Sequence, residues 1–142
     1  MHGEDFLFPA EQLLKMPSEA AYRSAVSRAY YAVFHCGAEF LSGLGIQASR
    51  GPQTHGQLQA RVNNCGVTEF QQLYRIIYRL YDNRLLADYD LKSKEFQSQA
   101  TMALLVASAK QALAIIKNCK KSQSLCNQIR QGIRDDDAKI KA

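Results

Sequence analysis

The stretch from Ser18 to Leu41 constrains this chain more than any other, because read as a helix it carries apolar residues on nearly every face. Ala25, Ala29, Ala32, Val33, Cys36 and Phe40 recur at helical spacing, and Tyr22, Tyr30, Tyr31 and Phe34 occupy the remaining faces. Ser18 is placed to cap its first turn. A helix coated in this way has to be covered, either at the centre of its own fold or in a subunit interface. The aromatic surplus predicts a dimer, and central burial within the monomer is the alternative.

Around this helix the other signals are also helical. Pro9 opens a short segment that closes near Met16-Pro17 and reads as an arm or lid. Gly43, Gly45, Gly51 and Pro52 mark a long loop, after which Thr54 is placed to cap a helix to about Asn64. Thr68 and Gln71 have the form of a capping box for a helix to about Tyr89, with Phe70, Leu73, Tyr74, Ile77, Leu80 and Tyr81 as its apolar stripe. Arg75, Arg79 and Asn83 fall on its polar side. Ser93 to Lys120 reads as a core helix with Met102, Leu105, Val106, Ala109, Leu113 and Ile116 at helical spacing. Beyond Lys121 the residues turn polar and end in Asp135-Asp136-Asp137, which predicts a polar tail or a weak terminal helix over 122–142. The fold class that follows is all-α: an antiparallel bundle of four main helices with short terminal helices, residues 1–121 forming the bundle.

A length of 142 residues suits one domain with a real core, and 46% hydrophobic with 22% charged residues excludes fibrous and largely disordered classes. The N-terminus carries Glu4 and Asp5 where a signal peptide would be basic, and no window holds eighteen uninterrupted apolar residues, so a cytoplasmic protein without a membrane role is expected. Cys36, Cys65, Cys119 and Cys126 lack Cys-x-x-Cys spacing and read as lone thiols, with the last two, seven apart, on one helix face. His2, His35 and His55 are scattered, so neither a metal site nor a cofactor is expected. A net charge of +5 is compatible with a polyanionic partner without requiring one.

Chemistry is concentrated in two segments where polar residues interrupt apolar helices: Ser27-Arg28-Ala29-Tyr30-Tyr31-Ala32-Val33-Phe34-His35 and Asn83-Arg84-Leu85-Leu86-Ala87-Asp88-Tyr89-Asp90. A charge inside a helical core needs a partner or a wet cleft, so each arginine marks an ion pair or a site. Arg28, Tyr31 and His35 stand at i, i+3 and i+7 and share a face. Asp88 can pair with Arg84 within one helix or reach across to Arg28 and lock two helices together. In a functional reading Arg84 binds phosphate, Tyr89 or His35 moves a proton, and Asn83 holds substrate, with Arg28, Tyr31, Asp88 and Arg79 lining the polar cleft. His55, beside the glycine-rich loop, reads as a capping or packing residue.

These segments, with Thr54-His55-Gly56 opening the next helix, resemble the HEPN domain family (higher eukaryotes and prokaryotes nucleotide-binding) over about residues 18 to 120, and look closest to its small stand-alone prokaryotic branch. The resemblance implies a helical bundle that commonly forms a homodimer, is often encoded beside a minimal nucleotidyltransferase antitoxin, and binds RNA or nucleotide. Active members are metal-independent ribonucleases, whose arginine is followed four to six residues later by a histidine, the pairs of two subunits meeting in the dimer cleft. Arg84 carries over to that arginine. At the histidine positions this chain has Asp88 and Tyr89, and no histidine follows Arg84. The alternative is a non-catalytic helical module that presents a surface to a partner protein.

Overall fold

A computed structural model describes residues 1–141 and contains six α-helices and no strand among them. A 3-10 turn, Gly3–Phe6, leads into α1 (Leu7–Leu13), α2 (Glu19–Gly43), α3 (Thr54–Asn64), α4 (Thr68–Tyr89), α5 (Gln99–Lys121) and α6 (Gln123–Lys141). α2 is the centre: α1, α4, α5 and the N-terminal turn all pack on it. Ala25, Ala29, Tyr30, Ala32 and Val33 are buried from several directions at once, as an all-round apolar helix requires. The aromatic faces of α2 are thus covered by the chain's own elements, so they do not in themselves call for a second subunit.

Several helix ends differ from the sequence expectation. Ser18 does cap α2, its side chain accepting from the Ala21 amide. Thr54 and Thr68, by contrast, lie inside their helices, whose cap residues are Gln53 and Val67. Thr54 Oγ1 donates instead to the Ser49 and Gly51 carbonyls at 2.8 and 2.7 Å, and Gln71 Nε2 donates to the Asn63 carbonyl at 2.8 Å, tying α4 to α3. α5 begins at Gln99, not Ser93, because the backbone before it is drawn toward Arg23 and the Ser98 hydroxyl caps the Thr101 amide at 3.2 Å.

The N-terminal segment is no free arm. Gly3 sits so close to α2 that a Cβ there would lie 2.7 Å from the Cys36 backbone nitrogen, and its amide donates to Glu39 at 2.9 Å. Residues 122–141 are likewise not a tail: Ser122 interrupts the helix and caps α6, whose Cys126, Ile129 and Ile133 join the common core, and residue 142 lies outside the described residues. Cys119 and Cys126 therefore belong to different helices, in contact where the Cys126 thiol meets the Cys119 carbonyl. Gly132 lets α6 cross α3 at contact distance, since any Cβ there would collide with the Cys65 carbonyl. Arg61–Asp137 and Asn64–Asp136 contacts absorb part of the acidic run.

α5 is long and apolar enough in composition to cross a membrane, with a mean hydropathy of 1.4 over its best window. Its apolar stripe is nevertheless applied to α2 and α4, where Met102, Leu105, Val106 and Ala109 are buried.

Candidate functional site

Where α2 and α4 meet, two arginines project into the interior, and they are held in opposite ways. Arg84, 6% exposed, lies among three tyrosine rings: its guanidinium carbon is 5.3 Å from the Tyr30 centroid, 5.5 Å from Tyr31 and 5.3 Å from Tyr81. Tyr30 and Tyr31 come from adjacent α2 positions, and Tyr81 stands three residues before Arg84, so one helix supplies two walls and Arg84's own helix the third. Aromatic faces attract a cation through their quadrupoles, by about 1 kcal/mol each at a partly dry site.

Rings accept no conventional hydrogen bond in the plane of the guanidinium. Arg84 Nε is buried without a partner, and Asp88 Oδ2 approaches Nη1 to only 3.8 Å, too far for a hydrogen bond. Asp88 is itself engaged by the Ser27 hydroxyl at 3.2 Å. A buried donor without an acceptor costs about 1–3 kcal/mol, so the cage offsets the burial of this cation without using its donors.

His55 completes the cluster from α3. Its Nδ1 is 2.6 Å from the Tyr30 hydroxyl, and its ring lies 4.6 Å from Phe34 and 5.6 Å from both Tyr30 and Tyr81, the same two rings that flank Arg84. Burial first, then the neighbouring Arg84 and His35 charges, pushes the His55 pKa below its usual value, so the imidazole is neutral near pH 7. Burial pushes the Tyr30 phenol well above its usual range, so it keeps its proton. With His55 as the hydrogen-bond partner of that proton, Tyr30 O–H donates to Nδ1, which assigns the ring hydrogen to Nε2.

Of the residues singled out from sequence, the fold brings together Arg84, Tyr31, His35 and Arg28. His35 stacks on Phe6 at 5.6 Å and Tyr31 at 5.9 Å, and Arg28 covers the Phe6 and Tyr31 rings at 5.4 and 5.5 Å. Asp88 joins them at the rim through Arg84 and Ser27, so of its two candidate partners it takes the intrahelical one, and the cross-helix pair with Arg28 is absent among the described residues. Three others stand apart. Tyr89 is 75% exposed at the end of α4, Arg79 is exposed, and Asn83 Nδ2 turns back to the Arg79 carbonyl at 2.8 Å.

Arg23 was not singled out, yet among the described residues its side chain makes the most hydrogen bonds. It is 7% exposed and donates to the carbonyls of Leu86, Ala87, Asp90 and Ser93 at 2.9–3.2 Å, with Glu19 on its other edge and the Phe96 ring 4.7 Å beneath. These include the open carbonyls at the C-terminus of α4, where a cation also meets the favourable end of the helix dipole. Arg23 thereby fixes the turn into which the Arg84 segment runs. The sequence signal was the Glu19/Arg23 spacing, which marks any exposed helix pair as readily.

Elsewhere, a cleft of about 520 Å³ lies between α2, α5 and α6, lined by Phe40, Leu113, Ile116 and Arg130 among others. Two of its charges are answered within the chain, Lys117 by Glu4 at 3.2 Å and Arg130 by the Leu44 carbonyl at 2.9 Å, and none of the cage residues lines it. Among the described residues no group of three His, Cys, Asp or Glu side chains is disposed to hold a metal ion. No family model, curated protein or solved structure matches this chain.

Proposed function

We propose that this protein is a HEPN-type helical component of a toxin–antitoxin or defence module that binds RNA or a nucleotide through the Arg84 cage. The observation that carries the reading is a buried guanidinium with aromatic contacts on its faces and no hydrogen bond to its edges. Phosphate oxygens are the acceptors that such a fork fits, and the surrounding tyrosines offer stacking surfaces to bases. The net charge of +5 favours the same class of ligand. With this reading go a bundle of four main helices, assembly as a homodimer, a minimal nucleotidyltransferase as partner and a cytoplasmic setting. The homodimer and the nucleotidyltransferase rest on the sequence resemblance, the bundle on helical periodicity, and the cytoplasmic setting on the acidic N-terminal residues and the lack of a long apolar window.

The test is to incubate purified protein with total RNA, with and without chelator, beside Arg84→Ala. Retention of RNA by the wild type and its loss in the variant, at unchanged thermal stability, is the expected result. Cleavage that survives chelation would add metal-independent ribonuclease activity to binding. Equal retention by both proteins would remove Arg84 from the site.

A second reading, a non-catalytic module that docks a partner protein, draws on Tyr89, 75% exposed at the end of α4, and Leu91, 78% exposed two residues beyond it. Crosslinking through Tyr89 to a co-purified protein, with no RNA bound, would favour it.

A further inference from the structure

The Arg84 cage contains one polar group beyond the arginine whose working end is still free. His55 reaches it from α3, and its orientation is set: Tyr30 O–H holds Nδ1 at 2.6 Å, and Phe34 packs on the ring at 4.6 Å. That leaves Nε2–H as the remaining donor, and no hydrogen bond from it occurs among the described residues. His55 and Arg84 both rest on the Tyr30 and Tyr81 rings, so α3 and α4 bring the two groups to the same aromatic pair.

We propose that His55 and Arg84 form a single site for a phosphate ester, with His55 Nε2–H as the second donor beside the guanidinium, and that the imidazole takes up a proton from solvent as the phosphate binds. The proposal rests on the nucleic-acid reading of the Arg84 cage and adds its second donor and its regulation by pH.

The electrostatics of the empty and filled site differ in sign. Without ligand, Arg84 is the nearest fixed charge on α4 and opposes a second cation, as does His35 on α2. Tyr30 and Tyr31 from α2 and Tyr81 from α4 face the ring, and Asp88 is turned to Ser27 and Arg84. α6, the third element packed on α3, places Asp136 and Asp137 against Asn64 and Arg61, further along that helix. A phosphate between the two donors replaces repulsion by attraction, and the imidazolium then bonds it with charge assistance. Binding strengthens as pH falls through the histidine range.

Labelled full-length protein is titrated, following the His55 ring signals, with two probes: AMP as a monoester and a short RNA oligonucleotide lacking terminal phosphates, whose diesters do not titrate near neutrality. The expected result is an upward move of the His55 midpoint by about one unit with at least one probe, equivalent to roughly tenfold tighter binding at acid than at alkaline pH. The probe that produces the move names the ester class. His55→Gln keeps a donor but no titration, and is expected to bind RNA with a flat pH profile. RNA bound by the wild type with a His55 midpoint that neither probe moves, or RNA bound by His55→Gln with the wild-type pH dependence, overturns the inference and leaves the RNA reading standing. Neither probe bound at any pH overturns both.

Discussion

Arg23 and Arg84 are equally buried, lie on neighbouring helices and each meet aromatic rings, yet one is saturated and the other is open. Arg23 donates to four backbone carbonyls and a carboxylate, which is close to the most a guanidinium can do. Arg84 has rings above and beside it and no hydrogen bond to the chain among the described residues. Burial alone therefore says nothing about role. What separates these two cations is where their N–H groups end.

The largest effect should come from Arg23→Ala. It strands the carbonyls at the end of α4 and uncovers Phe96, and a loss of about 3–5 kcal/mol in denaturant unfolding is expected. A loss below about 1 kcal/mol would show that water replaces the arginine and would erase the contrast. Arg84→Met, which keeps the volume and removes a charge that makes no hydrogen bond, should change stability by no more than about 1 kcal/mol, in either direction, while abolishing RNA retention. If it destabilises as strongly as Arg23→Ala, Arg84 is structural.

Tyr30→Phe sharpens the picture from the other side. The hydroxyl is the anchor of His55, so the variant should lose about 1 kcal/mol in thermal unfolding and release the imidazole to alternate ring orientations visible by NMR. The smallest effect concerns pH. Because the folded protein holds the His55 pKa below its unfolded value, the unfolded chain binds the extra proton first. Stability is therefore full above the unfolded value of about 6.5 and declines as pH falls below it, until the folded form is protonated as well. His55→Gln should flatten that segment of a melting-temperature profile, and Arg84→Met should narrow it by removing one cause of the depression.

The helices were legible because the core is written in their periodicity: the buried faces of α2, α4 and α5 carry the apolar residues that spacing alone selects. Arg84 was legible for a related reason, as a charge inside an apolar helix. His55 was not, since nothing in Thr54-His55-Gly56 tells that the first turn of α3 lies across Tyr30, a contact set by packing between residues 25 positions apart. Arg23 escaped because its partners are backbone carbonyls, which leave no trace in side-chain patterns. α6 did leave a trace, Cys126, Ile129 and Ile133 at i, i+3 and i+7, but it was outweighed by the polar residues around it.

Gly132 carries no side chain and touches no part of the cage, yet it sets how near the last helix can come to the end of α3. α3 is held between α4 and α6, and it delivers His55 to the cage at its other end. A methyl group at position 132 would act as a wedge at one end of a rigid rod about eleven residues long, and the imidazole sits at the tip that would swing.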